Sequence, residues 1–231
     1  MLSIQKNKFT DCLDTIQVLS KPAREKLGED SFYCAQRKSS AIVSVFDGCG
    51  GLGAKKYEIF QKHTGAYIAS RSVSGAVHDW YHKNCDKKWE NAEQLASSID
   101  EYVRKAYEIC ESYDVERVKI KGSMVRKFPT TLALACAQEE SNGQGIRIHI
   151  LWAGDSRVYL LDAKGLAQLT KDDTDVEDAL ENLTSDGALT NVLSSDGKYK
   201  INFKTICLTS PGMIFAATDG CFGYIPSPME F

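Results

Sequence analysis

Two stretches of the chain carry side chains suited to catalysis, and they share a design. Ala41-Ile-Val-Ser-Val-Phe46 runs into Asp47-Gly-Cys-Gly-Gly-Leu-Gly53, and Met213-Ile-Phe-Ala-Ala217 runs into Thr218-Asp219-Gly220. In both, an apolar run delivers one carboxylate to its end, and no second strand-like run follows. Four glycines in the six residues after Asp47 remove side chains, so the backbone can bend sharply and its carbonyls can approach a ligand. A carboxylate beside bare carbonyls suits a hard cation. Asp-Gly is also the commonest hairpin signal, and for its other two occurrences, Asp186 and Asp196, that plain turn is the reading adopted. Gly48, Gly50 and Gly53 further satisfy the dinucleotide fingerprint, which needs a second strand within about 30 residues and an acid about 20 residues on. Helical pattern instead persists to Tyr113, and Asp47 would repel a pyrophosphate unless a metal ion lay between. The carboxylate favours metal.

Several elements must position these acids. Cys12–Leu19 and Ser31–Ala35 read as strands before the buried strand that ends at Phe46, which places the acidic pair Glu29-Asp30 near a sheet end, as solvated loop or as part of a site. Lys55 to about Lys83 reads as helix, and Leu95, Ile99, Tyr102, Val103, Ala106, Ile109, Cys110 and Tyr113 recur at helical spacing in a second. Two antiparallel helices would cover one face of the sheet. The basic connection Asp114–Lys127 reads as solvated loop or as a surface attracting phosphorylated substrate. Thr130–Ala137, Ile146–Trp152 and Arg157–Leu161 read as a three-stranded meander with Asp155 at its second bend, either an ordinary turn residue or more. Thr170–Lys200 is polar and reads as a surface flap, before strands at Ile201–Leu208 and Met213–Ala217.

Composition narrows the class. At 231 residues and 43% hydrophobic, the chain is long enough to bury a core of its own, and one domain over 1–231 is expected. A net charge of -3 gives no sign of a nucleic-acid partner, and no apolar run reaches membrane-spanning length. With no signal-peptide core at its start, the expected setting is cytoplasmic. Eight cysteines without a C-x-x-C pair read as reduced, mostly buried thiols.

The order of motifs resembles the type 2C (PPM) metal-dependent protein serine/threonine phosphatases from about residue 9 to the end. The carriers are Glu29-Asp30-Ser31, Phe46-Asp47-Gly-Cys-Gly-Gly51, Pro129-Thr-Thr-Leu-Ala133, Trp152-Ala-Gly-Asp155-Ser-Arg157 and Ala217-Thr-Asp219-Gly220. The resemblance implies an α+β fold, a two-sheet antiparallel β-sandwich flanked by antiparallel helix pairs. It implies that Asp47 bridges two Mg2+ or Mn2+ ions, that the Gly48 carbonyl binds one and Asp219 the other, and that Asp155 supports a further, weaker ion. Glu29 and Asp30 would hold water in the outer shell, Arg24 would bind phosphate, and a phosphorylated protein would be the substrate.

Three departures accompany it. Cys49 stands where many relatives have a histidine, Glu25 stands where the phosphate-binding arginine usually lies with Arg24 one step earlier, and the final helix and strand with another metal-binding aspartate are not found before Phe231. An incomplete C-terminus with an open sheet edge is therefore expected. The alternative is a pseudophosphatase that binds a phosphoprotein or partner without hydrolysing it. Substrate identity and oligomeric state are not legible.

Overall fold

The computed structural model describes residues 3–5, 16–18, 20, 28–114, 126–140, 145–175 and 188–222. Their order is β1 (Ser3–Gln5), β2 (Ile16–Val18), β3 (Ser31–Gln36), β4 (Ser40–Phe46), β5 (Lys56–Tyr57), a 3-10 turn (Glu58–Phe60), β6 (His63–Thr64), α1 (Gly65–Asn84), α2 (Ala92–Ser112), β7 (Leu132–Glu139), β8 (Ile146–Ala153), β9 (Arg157–Asp162), β10 (Gly165–Gln168), β11 (Asn202–Leu208), β12 (Gly212–Ala217) and α3 (Asp219–Phe222). Five strands form one antiparallel sheet in the order β11-β8-β7-β4-β3, and three form another in the order β10-β9-β12.

Burial follows the alternation of strand side chains. On one face of the larger sheet Ile42, Phe46, Leu132, Leu134, Cys136 and Leu151 join Val73, Val77, Trp80, Tyr81, Leu95, Ile99 and Val103 of the two helices. On its other face Ala133, Ala135, Ile148 and Ile150 meet Val158, Leu160, Ile214 and Ala216 of the smaller sheet. The helices run antiparallel, since Ser72 pairs with Cys110 (3.2 Å) and Trp80 with Ser98 (2.9 Å). No helix among the described residues is long and apolar enough to cross a membrane.

Helix α1 begins ten residues later than the sequence pattern suggests. Gln61 and Lys62 take left-handed backbone (φ 56 and 64), which ends any helix, and Thr64 then caps the new one by accepting the Tyr67 N–H at 3.1 Å. The expected meander also breaks. β7 and β8 pair, but Gly154, at φ +101, turns the chain so that β9 enters the second sheet. β11 and β12 likewise divide between the sheets, and β10 is an additional strand. Of the seven described cysteines, all free, Cys85, Cys110 and Cys136 are buried, whereas Cys207 and Cys221 are exposed.

Candidate functional site

β4 and β12 end close together although they belong to different sheets. Antiparallel pairing of β3 with β4 sets Ser31 opposite Phe46, so Asp30 lies beside Asp47. Thr218, just after β12, donates its hydroxyl to Asp30 Oδ2 at 3.0 Å, and this fixes Asp219 against the same corner. The carboxyls of Asp30 and Asp219 lie close enough to that of Asp47 to raise its pKa. Burial, the Asp30 charge and the neighbouring Asp219 carboxyl together push the Asp47 carboxyl far above the ordinary carboxylate range.

The Asp47 backbone is held from below. Its carbonyl accepts from Thr130 Oγ1 (2.8 Å) and from the Thr131 N–H (2.8 Å), and its N–H donates to Thr131 Oγ1 (3.0 Å). The glycines that follow are required by proximity. A methyl on Gly48 would fall 2.7 Å from the Ala66 carbonyl oxygen and 2.8 Å from that of Glu29. One on Gly50 would run into the Glu29 carboxylate, and one on Gly53 would lie 2.6 Å from Pro129 Cδ. Glu29 itself accepts from Thr64 Oγ1.

Asp155 sits in the turn between β8 and β9. Burial first, and then the charge of Asp219, raises its carboxyl to about 6. Cys49 is surrounded by Asp47, Asp155, Asp219 and Glu29; burial first and these charges second keep it a neutral thiol. A thiolate nucleophile is therefore disfavoured here. Arg24 lies outside the described residues. Lys127 of the basic connection is committed to Asp114 at 2.8 Å and Glu111 at 3.4 Å.

The donor set is all oxygen, which fits Mg2+ or Mn2+. The like charges of Asp30, Asp47 and Asp219 collected here are of the sign that a divalent cation would offset. Among the described residues no three His, Cys, Asp or Glu side chains are closed around one point as a ready-made metal site.

No protein-family model and no curated protein matches the sequence. Solved structures do match. Against the Mycobacterium tuberculosis serine/threonine phosphatase PstP/Ppp the TM-score is 0.59 at 18% identity, over 95% of this chain and 78% of that one. The catalytic domain of PstP in complex with two manganese ions gives 0.54 at 18%, over 96% and 79%. The PPM Ser-Thr phosphatase MsPP from Mycobacterium smegmatis, in complex with cacodylate, gives 0.53 at 14%, over 96% and 78%. The chain has the PPM phosphatase fold.

Within this PPM fold, several residues that shape the acidic corner carry no sequence signal of their own. Arg71 of α1 lies over the Tyr67 ring, 3.4 Å from its centroid, and donates to the carbonyls of Gly28 (3.0 Å) and Glu29 (3.3 Å). Ser70 donates to the Glu29 carbonyl as well. The acidic pair is thus clamped by the first turns of a helix some 40 residues away. An arginine among the small residues Ala66, Ala69, Ser70 and Ser72 is the one hint the sequence holds.

Proposed function

We propose that this chain hydrolyses phosphoserine or phosphothreonine in proteins, with water as the attacking group and two divalent cations, Mg2+ or Mn2+, at the acidic corner. The observation that carries this reading is the meeting of Asp30, Asp47 and Asp219 at the joined ends of two sheets in a chain with the PPM fold. The similar PstP catalytic domain holds two manganese ions, which supports the choice of metal. Asp47, the Gly48 carbonyl and Asp219 would hold the pair, and Asp155 a weaker third ion. When bound, such a pair lowers the pKa of water toward neutrality and offsets charge on the attacking and leaving oxygens.

The chain's own residues do the rest. Asp47 is oriented through its backbone by Thr130 and Thr131. Asp30 has one oxygen occupied by Thr218 and lies beside Asp47, a position from which it would hold water in the outer shell. Glu29 borders the same space, and Arg24 is assigned to the phosphate. The neutral Cys49 thiol forms no covalent intermediate. Residues 1–231 are read as one catalytic domain, a sandwich of two antiparallel sheets with helix pairs outside; the surface flap expected over Thr170–Lys200 does not hold for its described end, where Val192, Leu193 and Ser194 are buried.

A second reading is a module that binds a phosphoprotein or partner without hydrolysing it. Phosphate release from a phosphothreonine peptide, titrated with Mn2+, separates the two. Metal-dependent release that falls at least about a hundredfold in Asp47→Asn is expected; peptide binding without release would leave the module.

A further inference from the structure

The turn Gly154-Asp155-Ser156-Arg157 is gripped at every residue around Asp155. Ser156 Oγ lies 2.7 Å from Thr131 Oγ1, the same hydroxyl that accepts the Asp47 N–H. Arg157 forms a fork with Asp172, with Nε 3.0 Å from Oδ1 and the terminal nitrogen 2.6 Å from Oδ2. On the other flank Gly154 donates its N–H to Asp173 Oδ2 at 3.0 Å, and its carbonyl accepts the Asp173 N–H, also at 3.0 Å. Two consecutive aspartates thus hold the two shoulders of one turn.

Asp173 does more than cap this turn. Its carboxylate also accepts from Asn191 Nδ2 at 2.7 Å and from Asn202 Nδ2 at 3.0 and 3.1 Å, and its carbonyl accepts the Thr190 N–H at 2.8 Å. Asn191 in turn bonds the Lys200 backbone at both its ends (2.9 and 3.0 Å). One side chain therefore ties the Asp155 turn to the segment leading into β11. Only glycine fits at 154, since a methyl there would lie 2.8 Å from Thr131 Cγ2 and its φ is +101.

We propose that Asp173 is a positioning residue for Asp155: by receiving the Gly154 N–H while anchored by Asn191 and Asn202, it fixes the turn that carries Asp155 and so sets the weakest of the cation positions. This rests on the two-cation reading of the corner. A carboxylate that orients a ligand-bearing turn commonly alters metal affinity when it is lost.

The test is Mn2+ binding to the full chain, followed by electron paramagnetic resonance, for wild type, Asp155→Asn, Asp173→Ala and the swap Asp173→Asn with Asn202→Asp. The expected result is that Asp155→Asn and Asp173→Ala weaken the same, weakest Mn2+ site by roughly ten- to a hundredfold and leave the tighter ions in place. In the swap, the side-chain amide introduced by Asp173→Asn keeps an acceptor for Gly154 and Asn191 and donates to the new carboxylate across from it, so binding returns. Wild-type affinity in Asp173→Ala, or failure of the folded swap to recover the site while Asp155→Asn loses it, would overturn the proposal alone. A wild-type chain that takes up no Mn2+ would instead overturn the two-cation reading on which it rests. If Asp173→Ala does not fold, the swap decides.

Discussion

Asp47 occupies a position that folding alone would not select. Its carboxyl is driven up by burial, by the charge of Asp30 and by the neighbouring Asp219, and a group whose folded pKa is raised contributes stability at low pH that is lost as pH rises through the folded value. Without a cation, Asp47→Asn should therefore be more stable than wild type at pH 8, by at least about 1.4 kcal/mol, the worth of one pKa unit, and the advantage should shrink toward pH 5. Urea unfolding in EDTA at the two pH values checks this; an Asn variant that is less stable at both would show that the carboxyl is held by favourable bonds rather than against repulsion. The same residue is legible in the sequence because its signal is local: an apolar run, one acid, then glycines with no strand behind them. Its supports are not. Thr131 lies 84 residues from Asp47, Arg71 lies 42 from Glu29, and Thr218 lies 188 from Asp30, so only the folded chain shows that they share a corner. Asp173 reads as one of several acids in a polar stretch for the same reason.

At the scale of elements, periodicity locates what is long and amphipathic and fails where a few backbone angles decide the outcome. α2 matches its apolar spacing, whereas α1 starts late because Gln61 and Lys62 adopt positive φ, for which neither residue type gives a sign. The strands β7, β8 and β9 are each legible, yet their division between two sheets depends on the turn at Gly154, and adjacency in sequence favours a meander. The buried His149 on β8 shows how separate elements are then joined: Nε2 lies 3.0 Å from the Trp89 carbonyl between the helices, and Nδ1 lies 2.9 Å from Thr205 Oγ1 on β11. A carbonyl only accepts, so Nε2 carries the proton and the neutral ring accepts from Thr205. Burial lowers the His149 pKa below 6.5, so its bonds stabilise fully above that value, and stability is lost as pH falls from there through the lowered one. The difference in melting temperature between wild type and His149→Gln should accordingly be largest at pH 7.5 and narrow by pH 5; a constant difference across that range would mean that the ring is not titrating with folding.

For the molecule as a whole, the acidic corner lies where the ends of β4 and β12, from different sheets, come together, and like charges there oppose the union of those sheets. A cation shared by Asp47 and Asp219 would turn that opposition into a bond between them, so metal binding should be read out as global stability. Any ligand of the native state stabilises it in proportion to the logarithm of its excess over Kd, about 2.7 kcal/mol at a hundredfold excess, and for a chain of this size each kcal/mol corresponds to roughly 2–4 °C. Mn2+ at saturating concentration should thus raise the melting temperature over an EDTA control by roughly 5–10 °C. The sign of the pH dependence follows from Asp47. Its raised pKa means that the metal-free corner retains a proton which the cation must displace, so the Mn2+-induced rise should be larger at pH 8 than at pH 6. Asp47→Asn should lose most of the rise at either pH, although its metal-free form melts higher at pH 8. Equal melting temperatures with Mn2+ and with EDTA at both pH values would remove the cation centre from this chain and leave a fold with a repulsive corner.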